Sequence, residues 1–84
     1  MNYHVVLKRS AEKELNRLHG ELFERIQRKL LSLADNPRPV GIQKLQGEDT
    51  YRLRVGDYRI LCLIDDTAKR IEIISVAHRR EAYR

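Results

Sequence analysis

No internal disulfide can form in this chain, because Cys62 is its one cysteine. It lies within an apolar run and reads as a small buried hydrophobe, so a reducing cytoplasm is the expected compartment. Long hydrophobic runs are also lacking. Apolar residues nowhere extend for the ~20 positions a membrane helix needs, and the opening MNYHVVLKRS offers no export segment. Neither a membrane nor secretion is expected. The histidines, His4, His19 and His78, are scattered, and no carboxylate or thiol cluster has ligand spacing. Hence no metal and no cofactor is expected. The four glycines form no phosphate loop, no Ser-His-Asp arrangement is supported, and there are no repeats or low-complexity tracts.

What the chain does have is charge. Lys and Arg number 17 against 12 Asp and Glu, a net charge of +5, which suits a polyanion or an acidic protein as partner. With 42% apolar and 35% charged residues the composition is that of a folded protein. The expectation is one small domain over residues 1–84, burying about 60 to 65% of the surface its unfolded chain exposes.

The C-terminal half organises the rest. Tyr51 to Val55 and Tyr58 to Asp65 read as strands joined by Gly56-Asp57, a pair suited to a tight hairpin turn. A polar turn at Asp65-Asp66-Thr67-Ala68 leads to a third strand from Arg70 to Ala77, whose apolar content is Ile71, Ile73 and Ile74. Upstream, Asn2 to Leu7 alternates as a short first strand. Ser10 is placed to cap a helix with Ala11, Leu15 and Leu18 as its buried stripe, and Gly20 to end it in the left-handed region. A second helix runs from Glu21 to about Ala34 with Leu22, Ile26, Leu30 and Leu33 inward and Phe23 and Leu31 beside them. Arg25, Arg28 and Lys29 take its other side, read chiefly as a solvated face and otherwise as contacts for an acidic or nucleic-acid partner. Asn36-Pro37-Arg38-Pro39 stops it. Residues 40–49 show no period, with Ile42 and Leu45 as anchors and Lys44 free to reach outward. The expected fold is α+β, β-α-α-β-β-β, an antiparallel sheet with a two-helix layer on one face.

Strand parity turns this pattern into chemistry. Arg52 and Arg54 share a face with Arg59, Leu61 and Leu63, while Ile60, Cys62 and Ile64 face the core. Arg79 joins the arginine face if the last strand persists, in phase with the small residues Ser75 and Ala77. His78, Arg80, Tyr83 and Arg84 complete a C-terminal cluster. Severing RNA without a metal needs a base for the 2′-hydroxyl, cations for the charged phosphate and an acid for the 5′-oxygen. Arginine suits the second task, since its planar fork matches phosphate oxygens and stays charged. Histidine or a tyrosine with a lowered pKa suits the others. The same cluster also suits a basic rim for an acidic protein.

Taken in order, LKRSAEKELNRL, NPRPVGIQKLQG, YRLRVGDYRILCLIDD and IISVAHRREAY resemble the RelE toxins of bacterial and archaeal toxin–antitoxin pairs across essentially the whole chain. The resemblance implies a ribosome-dependent mRNA endonuclease that cuts in the decoding site and leaves a 2′,3′-cyclic phosphate. It also implies a cognate antitoxin, the ribosome with mRNA as target, and operator DNA as a ligand of the toxin–antitoxin complex. By position, Arg59 and Arg79 match transition-state arginines. Arg52 and Arg54 fall where relatives carry lysines, and Arg54 is counted with the catalytic set although arginine is a poor base. Tyr83 matches a tyrosine that stacks on or activates the nucleotide, and His78 competes with it for proton transfer. Arg52, Lys44, Arg80 and Arg84 are the implied RNA contacts. The rival readings are a gyrase-poisoning toxin of the related ParE type and an inactive antitoxin-binding co-repressor.

Overall fold

The computed structural model describes residues 2–45 and 49–78. The chain runs β1 (His4–Leu7), α1 (Arg9–Asn16), α2 (Gly20–Ser32), β2 (Gln43–Lys44), β3 (Thr50–Val55), β4 (Tyr58–Asp65) and β5 (Arg70–His78). These strands form one sheet in the order β1-β5-β4-β3-β2. From β2 to β5 the sheet is an antiparallel meander.

Two features of the sheet differ from the sequence reading. β1 pairs parallel to β5, with Val5 opposite Ile71 and Leu7 opposite Ile73. The helices carry the chain from one sheet edge to the other, and the meander returns β5 to β1 running the same way. Alternation alone carries no information on strand direction. The second difference is β2, a two-residue strand in the stretch without a period, opposite Tyr51 and Arg52. Two residues are too few to show a period of two.

One face of the sheet makes the core. Tyr51, Leu53, Val55, Ile60, Cys62, Ile64, Ile71, Ile73 and Val76 bury against Ala11 and Leu15 of α1 and Ile26, Leu30 and Leu33 from α2 and its C-cap. Both helices are amphipathic at helical spacing, so each needs one apolar surface to cover. Leu31, expected beside the stripe, is 65% exposed, because one residue past Leu30 turns the side chain about 100° around the axis.

Ser10 does not cap α1. Lys8 N–H binds Ile73 O at 2.9 Å, so strand pairing holds the chain as far as Lys8, the N-cap, and the helix starts at Arg9. The Ser10 hydroxyl donates instead to Ile74 O at 3.3 Å. Gly20 does not end α1, whose C-cap is Arg17; it stands at the start of α2. Gly20 adopts φ +61 and Gly56 φ +57, positions where a side chain would strain the backbone. Among the described residues no helix is long and apolar enough to cross a membrane.

Candidate functional site

The β3–β4 hairpin builds the arginine face. Arg54 stands directly opposite Arg59, and Arg52 directly opposite Leu61. All four project from the side away from the helices, since their neighbours Leu53, Val55, Ile60 and Cys62 are buried in the core. Like charges at opposed positions cost stability, so this juxtaposition is unfavourable on its own and favourable to a bound anion. The three arginines differ in access. Arg54 is exposed, Arg52 intermediate, and Arg59 only 8% exposed. Gln43 of β2 accepts a hydrogen bond from Arg52 Nη2, which fixes the fork from the neighbouring edge strand.

β5 completes this face through a bulge. Leu61 pairs with Ser75 but Cys62 pairs with Ile73, leaving Ile74 as an extra residue. Ile71, Ile73, Ser75 and Ala77 all share odd numbers, and an unbroken strand would point them to one side. The bulge reverses the phase. Ile71 and Ile73 stay in the core, while Ser75 and Ala77 come opposite Leu61 and Arg59. α1 fixes the irregularity: besides the Ser10 bond to Ile74, Glu14 Oε1 accepts the Val76 N–H at 2.8 Å.

His78 is brought to a different side. It pairs with Tyr58, in phase with Ile60 and Val76, and the two rings meet edge to face with centroids 5.3 Å apart. Lys44 likewise lies opposite Tyr51, in phase with the helix-covered face, so Gln43 and not Lys44 takes the place beside Arg52. Arg79, Arg80, Tyr83 and Arg84 lie outside the described residues.

Sequence reasoning missed Gln43 and, although it put Arg25 on the outer side of α2, missed where that side chain reaches. Arg25 reaches from α2 over the hairpin turn: a Cβ placed on Gly56 would stand 3.7 Å from its Nη2. Only the packing of α2 on β3 reveals this. Also unforeseen is a polar clasp at the sheet's other end. Arg38 donates to both carboxylate oxygens of Asp66, at 3.1 and 2.9 Å, and to the Tyr51 hydroxyl, at 3.2 and 3.1 Å. Its guanidinium carbon lies 5.0 Å from the Tyr51 ring centroid. Tyr3 donates its hydroxyl to Asp66 at 2.6 Å. The bonds from Arg38 and then Tyr3 hold the Asp66 carboxyl down to about 2, and the same bond raises Tyr3. Burial pushes the Cys62 thiol up to about 11, which suits packing and not nucleophilic chemistry.

Comparison with known proteins bears on this arrangement. Residues 5–83 match the family model described as the ParE toxin of type II toxin–antitoxin systems, parDE. A toxin RelE of Mycobacterium tuberculosis is 34% identical, the alignment covering 98% of this chain and 87% of that protein. Among solved structures, an arginine-to-alanine double mutant of the E. coli toxin RelE in the free state superposes with a TM-score of 0.80 at 26% identity, covering 99% of this chain and 90% of that one. A RelBE toxin–antitoxin complex from M. tuberculosis gives 0.82 at 28% identity, covering 94% and 100%. The archaeal RelE–RelB complex from Pyrococcus horikoshii gives 0.81 at 27% identity, covering 94% and 97%. The chain belongs to the RelE/ParE family and is a toxin of the type II toxin–antitoxin class.

Proposed function

We propose that this toxin arrests protein synthesis by cutting messenger RNA on the ribosome. The observation that carries the reading is the opposed pair Arg54 and Arg59 with Arg52 beside it on the sheet face away from the helices. In the proposed step the 2′-oxygen loses its proton and bonds to phosphorus. The 5′-oxygen leaves with a proton, giving a 2′,3′-cyclic phosphate and a 5′-hydroxyl. The guanidiniums, in place of a metal ion, stabilise the charge that gathers on the phosphate oxygens. Arg59, held within the sheet, orients one oxygen. Arg54 closes on another from the solvent side, and Arg79 is the third cation of the proposal. Proton transfer is assigned to Tyr83, because His78 turns with Tyr58 to the side of the sheet away from the arginines. Arginine is excluded as base by its pKa.

A partner antitoxin belongs to the proposal, since relatives of the same fold were crystallised as toxin–antitoxin complexes. An acidic or amphipathic segment laid over the basic surface would shield the arginine face. The proposed site of action is the cytoplasm, where translating ribosomes are. The gyrase-poisoning alternative is favoured by one finding, the ParE description of the matching family model.

Primer extension on a translated mRNA, run beside a gyrase supercoiling assay, separates the two. New 3′ ends that appear only with ribosomes, and unimpaired supercoiling, are expected. Intact mRNA with inhibited gyrase would replace the nuclease reading with its rival.

A further inference from the structure

Arg52 stands on β3 between two unlike ladder partners. Towards β4 it faces Leu61, whose side chain has no polar atom to offer. Towards β2 it faces Gln43, whose Oε1 accepts a hydrogen bond from Arg52 Nη2. A guanidinium carries donors and no acceptor, so the amide oxygen is the end of Gln43 that can meet it. Arg54 lies two residues further along β3 and therefore on the same face. Repulsion between these like charges pushes a guanidinium that nothing holds outward into solvent.

The backbone under Gln43 is tied down on both sides. Ile42 packs against the core and donates its N–H to Pro39 O at 3.2 Å, while Leu45 N–H binds Thr50 O at 2.8 Å. Between these ties the two residues of β2 pair with Arg52 and Tyr51. The short edge strand thus delivers one polar side chain to one arginine.

The chemical type of that side chain matters. A carboxylate would grip the fork more tightly, because charge-assisted hydrogen bonds are the stronger ones, but its negative charge would cancel that of the arginine and repel a phosphate. An amide oxygen orients the fork and leaves its charge whole. A side chain already turned towards its ligand also loses less rotamer freedom when the ligand arrives.

We propose that Gln43 is a positioning residue for Arg52, its neutral amide oxygen holding the guanidinium on the sheet face away from the helices, charge intact, for a phosphate of the RNA strand that is cut. This rests on the reading of the arginine face as an RNA-phosphate site. Gln43 touches no substrate and acts through Arg52.

The test is a double-mutant cycle. Gln43→Met, which keeps the length of the side chain and removes the acceptor, is made in the parent chain and in the Arg52→Met background, and Gln43→Glu is made in the parent chain. Each protein is titrated at low salt with a fluorescent 2′-O-methyl RNA oligonucleotide, which cannot be cut because its 2′-oxygens are blocked. Urea unfolding checks that every variant is folded under these conditions. Gln43→Met should weaken binding about 3- to 10-fold beside Arg52 and by less than about twofold in the Arg52→Met background, the non-additivity of residues that act through one another. Gln43→Glu should bind more weakly still, since it keeps the bond and adds a repelling charge. In ribosome-dependent cleavage Gln43→Met should raise KM while kcat stays within about twofold, the pattern of lost uniform binding. An equal loss in both backgrounds would overturn the proposal, as would parental affinity in Gln43→Met or in Gln43→Glu. A parent protein that holds the oligonucleotide but cuts no mRNA refutes the nuclease reading alone, since the cycle still decides this one. A parent protein that does not hold it removes the phosphate role of Arg52 and the proposal with it.

Discussion

Arg59 is a buried charged residue, 8% exposed, and it stands opposite Arg54 on the hairpin. Such placement is useful where the charge meets a developing anion in a dry site. Arg59→Ala should lower cleavage of translated mRNA about 10²- to 10³-fold, the scale of one lost transition-state contact. Arg79→Ala should do the same if it shares the phosphate. Translation arrest at parental strength in both variants would remove the phosphate-stabilising role. Tyr83→Phe separates hydroxyl chemistry from stacking, and cleavage at the parental rate would take proton transfer away from Tyr83. Asp66 carries a pH signature of another kind. Its carboxyl is held to about 2 by Arg38 and Tyr3, against about 4 in an unfolded chain. A depressed folded pKa contributes stability above the unfolded value and loses it as pH falls through the folded one. Asp66→Asn should therefore have a lower urea midpoint than the parent at neutral pH, with the gap closing between about pH 4 and pH 2. A gap independent of pH would show that the clasp does not act through the carboxylate.

At the scale of elements, the bulge in β5 decides whether a groove exists at all. Ser75 and Ala77 reach the arginine face only because Ile74 is left out of the ladder, and Glu14 and Ser10 of α1 hold the freed backbone groups. Removing an acceptor from a partly buried amide costs about 1 to 3 kcal/mol. Glu14→Ala should lower stability by that amount in urea unfolding and reduce cleavage, while Glu14→Gln, which keeps an acceptor oxygen, should fall between. An alanine variant as stable and active as the parent would show the bulge to be held by other means. The same feature marks the limit of what the sequence tells. The hairpin was legible because Arg52, Arg54 and Arg59 alternate with residues that must be buried, and Gly56 supplies its turn. So were the inward stripes of both helices, apart from Leu31. The bulge was not legible, because odd-numbered isoleucines and odd-numbered small residues in one strand give no sign of where the phase changes. The parallel pairing of β1, the side taken by His78 and the reach of Arg25 depend on contacts between segments distant in the chain, which periodicity does not encode.

At the scale of the molecule, small size and surplus charge act together. An 84-residue fold with net charge +5 has a limited core and a self-repelling surface. Arg54 opposite Arg59 concentrates that repulsion on the sheet face away from the helices. A partner that binds only the folded chain stabilises it by mass action, about 4 kcal/mol at a thousandfold excess over Kd. For a domain of this size each kcal/mol moves the thermal midpoint by roughly 4 to 8 °C. An antitoxin laid on the basic side should thus raise the midpoint by some tens of degrees, increasingly so with antitoxin concentration. The increment should shrink with added salt, because screening weakens the attraction it depends on. Thermal scans over an antitoxin titration at low and high salt measure both trends. A midpoint indifferent to antitoxin would deny it the folded surface, and a rise indifferent to salt would move its footprint off the arginines onto an apolar part of the fold.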